Sequence, residues 1–188
     1  MSFPSQLARR MLRLALDRRG VSSIEFALLL PMLLALYIAG TELTKGVAIG
    51  RKVTLTARTV ADLVSRVNTT STSDLQNSLS AASAVIAPYA ATPMTVTVSQ
   101  VKIDNNGNAT VDWSCSYQGT PHAAGSPVAL PAAFVTANTY LIWGESQYAY
   151  TPPIGYVISG TILLKDQFYT APRSSNNVIF SPTTCPSF

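Results

Sequence analysis

Sixteen consecutive residues without a charge, Phe26 to Thr41, contain the run ALLLPMLLALYIAG and set the main constraint on this chain of 188 residues. A run this apolar must leave water. At 1.5 Å per residue it covers about 24 Å, short of the roughly 30 Å hydrocarbon layer of a bilayer. Spanning therefore needs Val21 to Glu25 as well, or local thinning of the bilayer. The apolar part of a secretory signal has a similar length. Against that reading stand the long region before the run and the lack of a small-x-small cleavage pattern after Tyr37. Pro31, inside the run, cannot donate to the carbonyl of Ala27 and crowds it, so a kink or local loosening is expected there. The plain alternative is a proline that membrane helices tolerate well.

The residues before the run carry the second constraint. A basic cluster ends at Gly20, and Glu25 follows five residues later at the head of the apolar segment. An ionised carboxylate near the bilayer centre costs roughly 2.5 to 3.5 kcal/mol even on lenient insertion scales, so Glu25 calls for a reason. Snorkelling to the interface explains why the charge is tolerated. Cleavage after Gly20 explains more: Val21 becomes the N-terminus, and its amine is a cation one helical turn from Glu25 or from the Glu25 of a neighbour.

Together Gly20, Val21, Glu25 and Phe26 resemble the prepilin-peptidase site of class III signal peptides. With Val21 first after the cut and the aromatic residue after the glutamate, the site looks like the Flp and TadE branch. The run Ile24-Glu25-Phe26-Ala27 to Leu30-Pro31 is similar to the start of TadE-like proteins of the tight-adherence pilus system, and the resemblance covers roughly residues 17 to 60. It implies a pilin-like fold, a prepilin peptidase, other pilin and pseudopilin subunits and an inner-membrane assembly platform as partners, and no cofactor.

Charge supports a cut leader over a nucleic-acid surface. Of thirteen basic and nine acidic residues, Arg9, Arg10, Arg13, Arg18, Arg19 and Asp17 precede the proposed cut, leaving eight of each sign. The basic pI thus belongs to the leader. Orientation by charge is close to balanced, since Lys45, Arg51, Lys52 and Arg58 follow the apolar run. The N-terminus is placed in the cytoplasm because the peptidase-like motif, the two cysteines and the polar, Pro-rich C-terminal part agree on it.

Only 12% of the residues are charged and 47% are hydrophobic, a balance suited to an extracytoplasmic domain. Cys115 and Cys185 have no second cysteine or histidine at metal-ligand spacing. A disulfide is the favoured pairing in an exported region; two separately buried thiols are the alternative.

Beyond the membrane run the helix is expected to continue to about Asn68, because Val53, Ala57, Val60, Val64 and Val67 recur at helical spacing. Arg58, Asp62 and Arg66 stack on another face as alternating charges, and Glu42 can pair with Lys45. Asp74 to Ala87 reads as a second helix with Ser73 as N-cap. From Pro93 the period becomes two. Val96 and Val98 lie out of phase with Val101 and Ile103, which a bulge near Ser99 or Gln100 would reconcile. Asp104-Asn-Asn-Gly-Asn108 signals a hairpin, and Ala109, Val111, Trp113, Cys115 and Tyr117 alternate on the return strand.

After a loop from Gly119 to Pro131, the stretch Thr136 to Tyr150 puts Tyr140, Ile142, Ser146, Tyr148 and Tyr150 on one face. Leu141, Trp143, Glu145 and Gln147 take the other, with Gly144 marking a twist or bulge. A turn at Thr151 to Gly155 and a strand over Thr161 to Thr170 follow. The expected class is α+β, a long helix followed by a small antiparallel sheet. Its parts are a leader over 1–20, a membrane and stalk helix over 21–68, a helical linker over 69–93 and an extracytoplasmic β-rich domain over 94–188.

Catalysis is not expected. The one histidine, His122, sits in the loop and reads as a surface residue, and no P-loop or GxGxxG is present. The tyrosines and the two tryptophans suit a core more than an adhesive face, although aromatics also anchor interfaces. The expected function is that of a minor pilin or pseudopilin, inserted in the bacterial inner membrane with its C-terminal domain in the periplasm and cut after Gly20. The competing reading is an uncut single-pass receptor or adhesin.

Overall fold

The computed structural model describes Met11 and residues 20–152, 160–180, Pro182 and Cys185. The rest of the proposed leader, Pro153 to Gly155 of the expected turn and Tyr156 lie outside the described residues. The chain divides into two compact units, Met1–Leu43 and Thr44–Phe188. One helix, α1 (Val21–Ser65), supplies residues to both and runs unbroken through Pro31. It ends three residues before the expected Asn68.

In the first unit, α1 residues from Val21 onward are almost all exposed, Leu28 at 75% and Tyr37 at 72% among them. The most apolar eighteen-residue window has a mean hydropathy of 2.0 and none of it is buried. The helix is long and apolar enough to cross a membrane. Because it starts at Val21, the stretch from Val21 to Thr41 covers about 31 Å, which removes the shortfall of the uncharged run alone.

In the second unit, β1 (Thr69–Thr70) follows α1, then α2 (Thr72–Ser83), a 3-10 turn at Ala84–Ile86, β2 (Met94–Ile103) and β3 (Ala109–Tyr117). After a 3-10 turn at Ala132–Phe134 come β4 (Thr139–Tyr150), β5 (Ile162–Thr170) and β6 (Ile179–Phe180). β2 to β5 form an antiparallel sheet in the order β3-β2-β4-β5, while β1 and β6 pair in parallel. The α+β order expected from the sequence is the one observed.

The second half of α1 covers the inner face of the sheet. Ile49, Val53, Ala57, Val60, Ala61 and Val64 are buried and pack with Val96, Val98, Trp113, Ile142 and Tyr148. Each large aliphatic side chain buried there stabilises the fold by about 1.5 to 3 kcal/mol. Gly144 allows the helix to sit so close: a Cβ at this position would lie 2.3 Å from the carbonyl oxygen of Ala57. The glycine marks a close backbone approach where a twist or bulge was expected. Two residues along β4, the buried Ser146 hydroxyl donates to the Val53 carbonyl at 2.6 Å.

The expected second helix is shifted. Ser71, not Ser73, is its N-cap: the Ser71 hydroxyl accepts from the Asp74 amide at 3.2 Å, and the Asp74 carboxylate accepts from the Ser71 amide at 3.1 Å. This capping box satisfies two amides left free at a helix start. The Ser71 hydroxyl, which also donates to the Asp74 carboxylate at 2.6 Å, and then the Ser71 amide hold that carboxyl below the usual carboxylate range. The helix gives way to the 3-10 turn at Ala84, and the Lys52 ammonium donates to the carbonyls of Val85 (3.0 Å) and Ala87 (2.6 Å).

The expected bulge is present but on the other strand. β2 pairs with β4 in continuous register, whereas against β3 the partners jump from Gln100–Trp113 to Val101–Val111, leaving Asp112 as the extra residue. β2 therefore alternates without a break. Val96 and Val98 face α1, and Val101 and Ile103 enter a second cluster on the outer face with Ala109, Leu141 and Trp143. β3 is the strand that changes phase, so Ala109 and Val111 do not share a face with Trp113 and Cys115. The hairpin between β2 and β3 matches its sequence signal. The Asp104 carboxylate accepts from the amides of Asn106 and Asn108 at 2.8 Å each, and Gly107 takes a φ of +84°.

Candidate functional site

The residues expected to form a processing site lie at the start of α1. Gly20 precedes the helix in a 3-10 position, and Val21 is the first α-helical residue. Val21 and Glu25, four apart, share one helix face, the geometry that brings a new amine at residue 21 within reach of a carboxylate at residue 25. Gly20, Val21, Glu25, Phe26 and Pro31 are all exposed in the first unit. Among the described residues nothing covers the side chains of the most apolar window.

Cys115 and Cys185 form a disulfide with a Cα separation of 4.8 Å. Cys115 lies on β3 on the α1 side and is fully buried; Cys185 is 5% exposed and donates its amide to the Ser114 carbonyl at 3.2 Å. The bulge at Asp112 prepares this attachment. It turns Trp113 and Cys115 inward together, and the Trp113 indole N–H donates to the Val178 carbonyl at 2.9 Å. The buried Gln100, paired with Trp113, accepts from the Val178 amide at 2.6 Å and donates to the Asp112 carboxylate at 2.6 Å. Two cross-strand neighbours thus hold both polar groups of one backbone residue, and the disulfide fixes the chain seven residues further on.

The outer face holds a group that sequence reasoning treated as plain surface. His122 stacks on Trp143 with ring centroids 4.7 Å apart and 13° between planes, and Trp143 is stacked in turn on Tyr169 at 5.8 Å. The His122 Nε2 lies 2.5 Å from the Glu145 carboxylate. Its backbone amide donates to the Ser114 hydroxyl at 3.0 Å, which also accepts from Ser99 at 2.8 Å. The loop bearing His122 continues along the free edge of β3. The Gly125 amide donates to the Val111 carbonyl at 2.7 Å, the Val111 amide to Ser126 at 2.9 Å and the Val128 amide to Ala109 at 2.9 Å.

Burial pushes the Glu145 carboxyl up from its usual range, opposed by the hydrogen bond and charge of His122. Burial also raises the Tyr169 hydroxyl, with the Glu145 charge adding to it. Glu145 keeps one side on a surface depression of about 350 Å³ shared with Gln147, Lys165 and Gln167. The arrangement fastens the loop over the outer core. Neither the loop position of His122 nor the place of Glu145 on the outer face of β4 signalled this pairing, because the two are brought together only by strand pairing and loop return.

The aromatic residues divide as a core would. Trp113, Trp143, Tyr148 and Tyr150 are buried, while Tyr140 and Tyr169 are half-buried. Among the described residues no three His, Cys, Asp or Glu side chains converge in a way that could hold a metal ion. No protein-family model, curated protein or solved structure matches this chain.

Proposed function

We propose that this chain is a minor pilin or pseudopilin of the TadE-like class, cut after Gly20 by a prepilin peptidase and taking part in the assembly or initiation of a tight-adherence pilus. The observation that carries the reading is the coincidence of the motif with the helix boundary: α1 begins at Val21, directly after Gly20, and carries Glu25 one turn later ahead of an uncovered apolar run. A cut at that bond leaves a helix with no residue before it, its amine near Glu25, and a side-chain surface suited first to lipid and then to sister helices. The disulfide-tied sheet unit suits a periplasmic position, where thiols are oxidised. On this reading the partners are the peptidase, other pilin or pseudopilin subunits, the inner-membrane assembly platform and the lipid bilayer.

The test is the intact mass and N-terminal peptide of the membrane-extracted protein from its native host, with and without the prepilin peptidase. The expected mature chain begins at Val21 only when the peptidase is present, and a bulky replacement of Gly20 abolishes the cut. Glu25→Ala should leave cleavage intact while recruitment into a multi-subunit complex falls. A full-length N-terminus in both strains would overturn the pilin reading and leave a membrane-anchored external domain.

A further inference from the structure

Four arginines follow residue 20, and three of them meet at one place. Arg58, Arg66 and Arg173 line a surface concavity of about 390 Å³ in the second unit, with Asp62 and Phe168 between them. Asp62 divides its two oxygens, one accepting from Arg66 and the other from Arg173 at 2.8 Å. Arg58 lies over the Phe168 ring, its guanidinium carbon 5.5 Å from the centroid. The backbone holds the segment in place as well: the Arg173 amide donates to the Ser65 carbonyl at 2.7 Å, and the Ser174 hydroxyl to the Arg66 carbonyl at 2.7 Å.

Three guanidiniums against one lining carboxylate leave an excess of two positive charges. Asp166, two residues before Phe168, is engaged by the Thr54 hydroxyl. A patch that served only to pin residue 173 to the helix would need one arginine. Arg66 and Arg173 are 62% and 56% exposed and each guanidinium has five donors, so both keep donors free for a ligand. The carboxylate and the aromatic ring have already fixed where the three forks sit, which lowers the entropy lost on binding.

We infer that this concavity is an anion-binding site, and that it takes a tetrahedral oxyanion with at least three acceptor oxygens, a phosphate or sulfate group. Such a group satisfies three forks where one more carboxylate satisfies two. The same chemistry comes either as a small free anion or as esters along a surface polymer.

The experiment uses the full-length protein in nanodiscs of zwitterionic lipid, titrated with inorganic tripolyphosphate, dextran sulfate and uncharged dextran. Saturable binding of tripolyphosphate or dextran sulfate, and none of dextran, is expected, with affinity falling as salt rises. Preference for dextran sulfate at equal anion concentration points to a polymer-borne ester; preference for tripolyphosphate points to a free anion. Arg66→Gln and Arg173→Gln should each weaken binding about tenfold. Arg51→Gln, the fourth arginine, should leave it unchanged. Arg66→Lys keeps the charge and removes the fork, so it should weaken binding as well while leaving the fold, read by near-UV circular dichroism, intact. The inference is overturned by absent binding, by unchanged affinity in the Arg66 and Arg173 variants, or by an equal loss in Arg51→Gln.

Discussion

Gly144→Ala tests how α1 is seated on the sheet. The added methyl would stand 2.3 Å from the Ala57 carbonyl oxygen and 3.1 Å from both the Ala61 Cβ and a Val60 methyl. A comfortable carbon-to-oxygen contact is about 3.3 Å or more, so helix and strand must part by about 1 Å. They are poorly placed to do so, because Val53, Ala57, Val60 and Ala61 are buried and the Ser146 hydroxyl is bonded to Val53 two residues away. Overpacking of this kind costs about 1 to 3 kcal/mol, and with a backbone atom as the obstacle the upper end, about 3 kcal/mol, applies.

Gly50→Ala is the control. It lies in the same helix with nothing within 4 Å of the new methyl, and replacing a helix-interior glycine by alanine stabilises by roughly 0.5 to 1 kcal/mol. The two substitutions therefore move stability in opposite directions. Urea denaturation of the oxidised protein in detergent, followed by the fluorescence of Trp113 and Trp143, reads both. With a slope of about 1 to 3 kcal/mol per molar urea, the Gly144→Ala midpoint should fall by at least about 1 M. A Gly144→Ala stability within about 0.5 kcal/mol of wild type, at unchanged slope, would refute the close approach.

Two further predictions concern the disulfide and the outer face. Replacing both Cys115 and Cys185 by alanine opens a link across seventy residues and should cost up to about 4 kcal/mol; protease cleavage of the C-terminal segment after Val178 should accelerate before the sheet itself yields. Glu145 has a raised carboxyl, so the stability it contributes is fully present below its unfolded value of about 4.5 and is lost as pH rises through the higher folded value. Glu145→Gln should thus gain stability relative to wild type between pH 4 and pH 8, measured by paired denaturation curves, and the ring of Tyr169 should ionise at lower pH in the variant. A stability difference that does not change with pH would contradict burial as the dominant influence on Glu145.

The sequence pattern conveyed the fold where local chemistry decides it. The two faces of β4 alternate as their residues require, and the Asp104 hairpin follows from an Asx-type turn closed by Gly107. The apolar run and the motif ahead of it were legible because charge and hydropathy need no tertiary partner to be noticed. Other features depended on partners distant in the chain. The phase change of β3 at Asp112 could not be assigned to one strand of the pair, since a bulge in either reconciles the same pattern. Arg58, Asp62 and Arg66 announced a charged helix face, but Arg173 joins them only because the chain after β5 returns to the end of α1. His122 and Glu145, and the clamp on Val178 by Gln100 and Trp113, have the same cause.

The single extra residue at Asp112 makes β3 a shared wall between two rooms. One half of the strand furnishes the outer cluster, the other half furnishes the inner core and its disulfide, and the two halves are out of step by one position. Removing Asp112 itself would leave Val111 opposite Val101 and Trp113 opposite Gln100, so both halves keep their sides and the Gln100 amide loses a partner. Removing Ser114 instead would set Cys115 opposite Ser99 on the outer face, away from Cys185. A one-residue deletion past the bulge would in this way detach the end of the chain, whereas the same deletion in the loop after Gly119 would shift only the covering of the outer face.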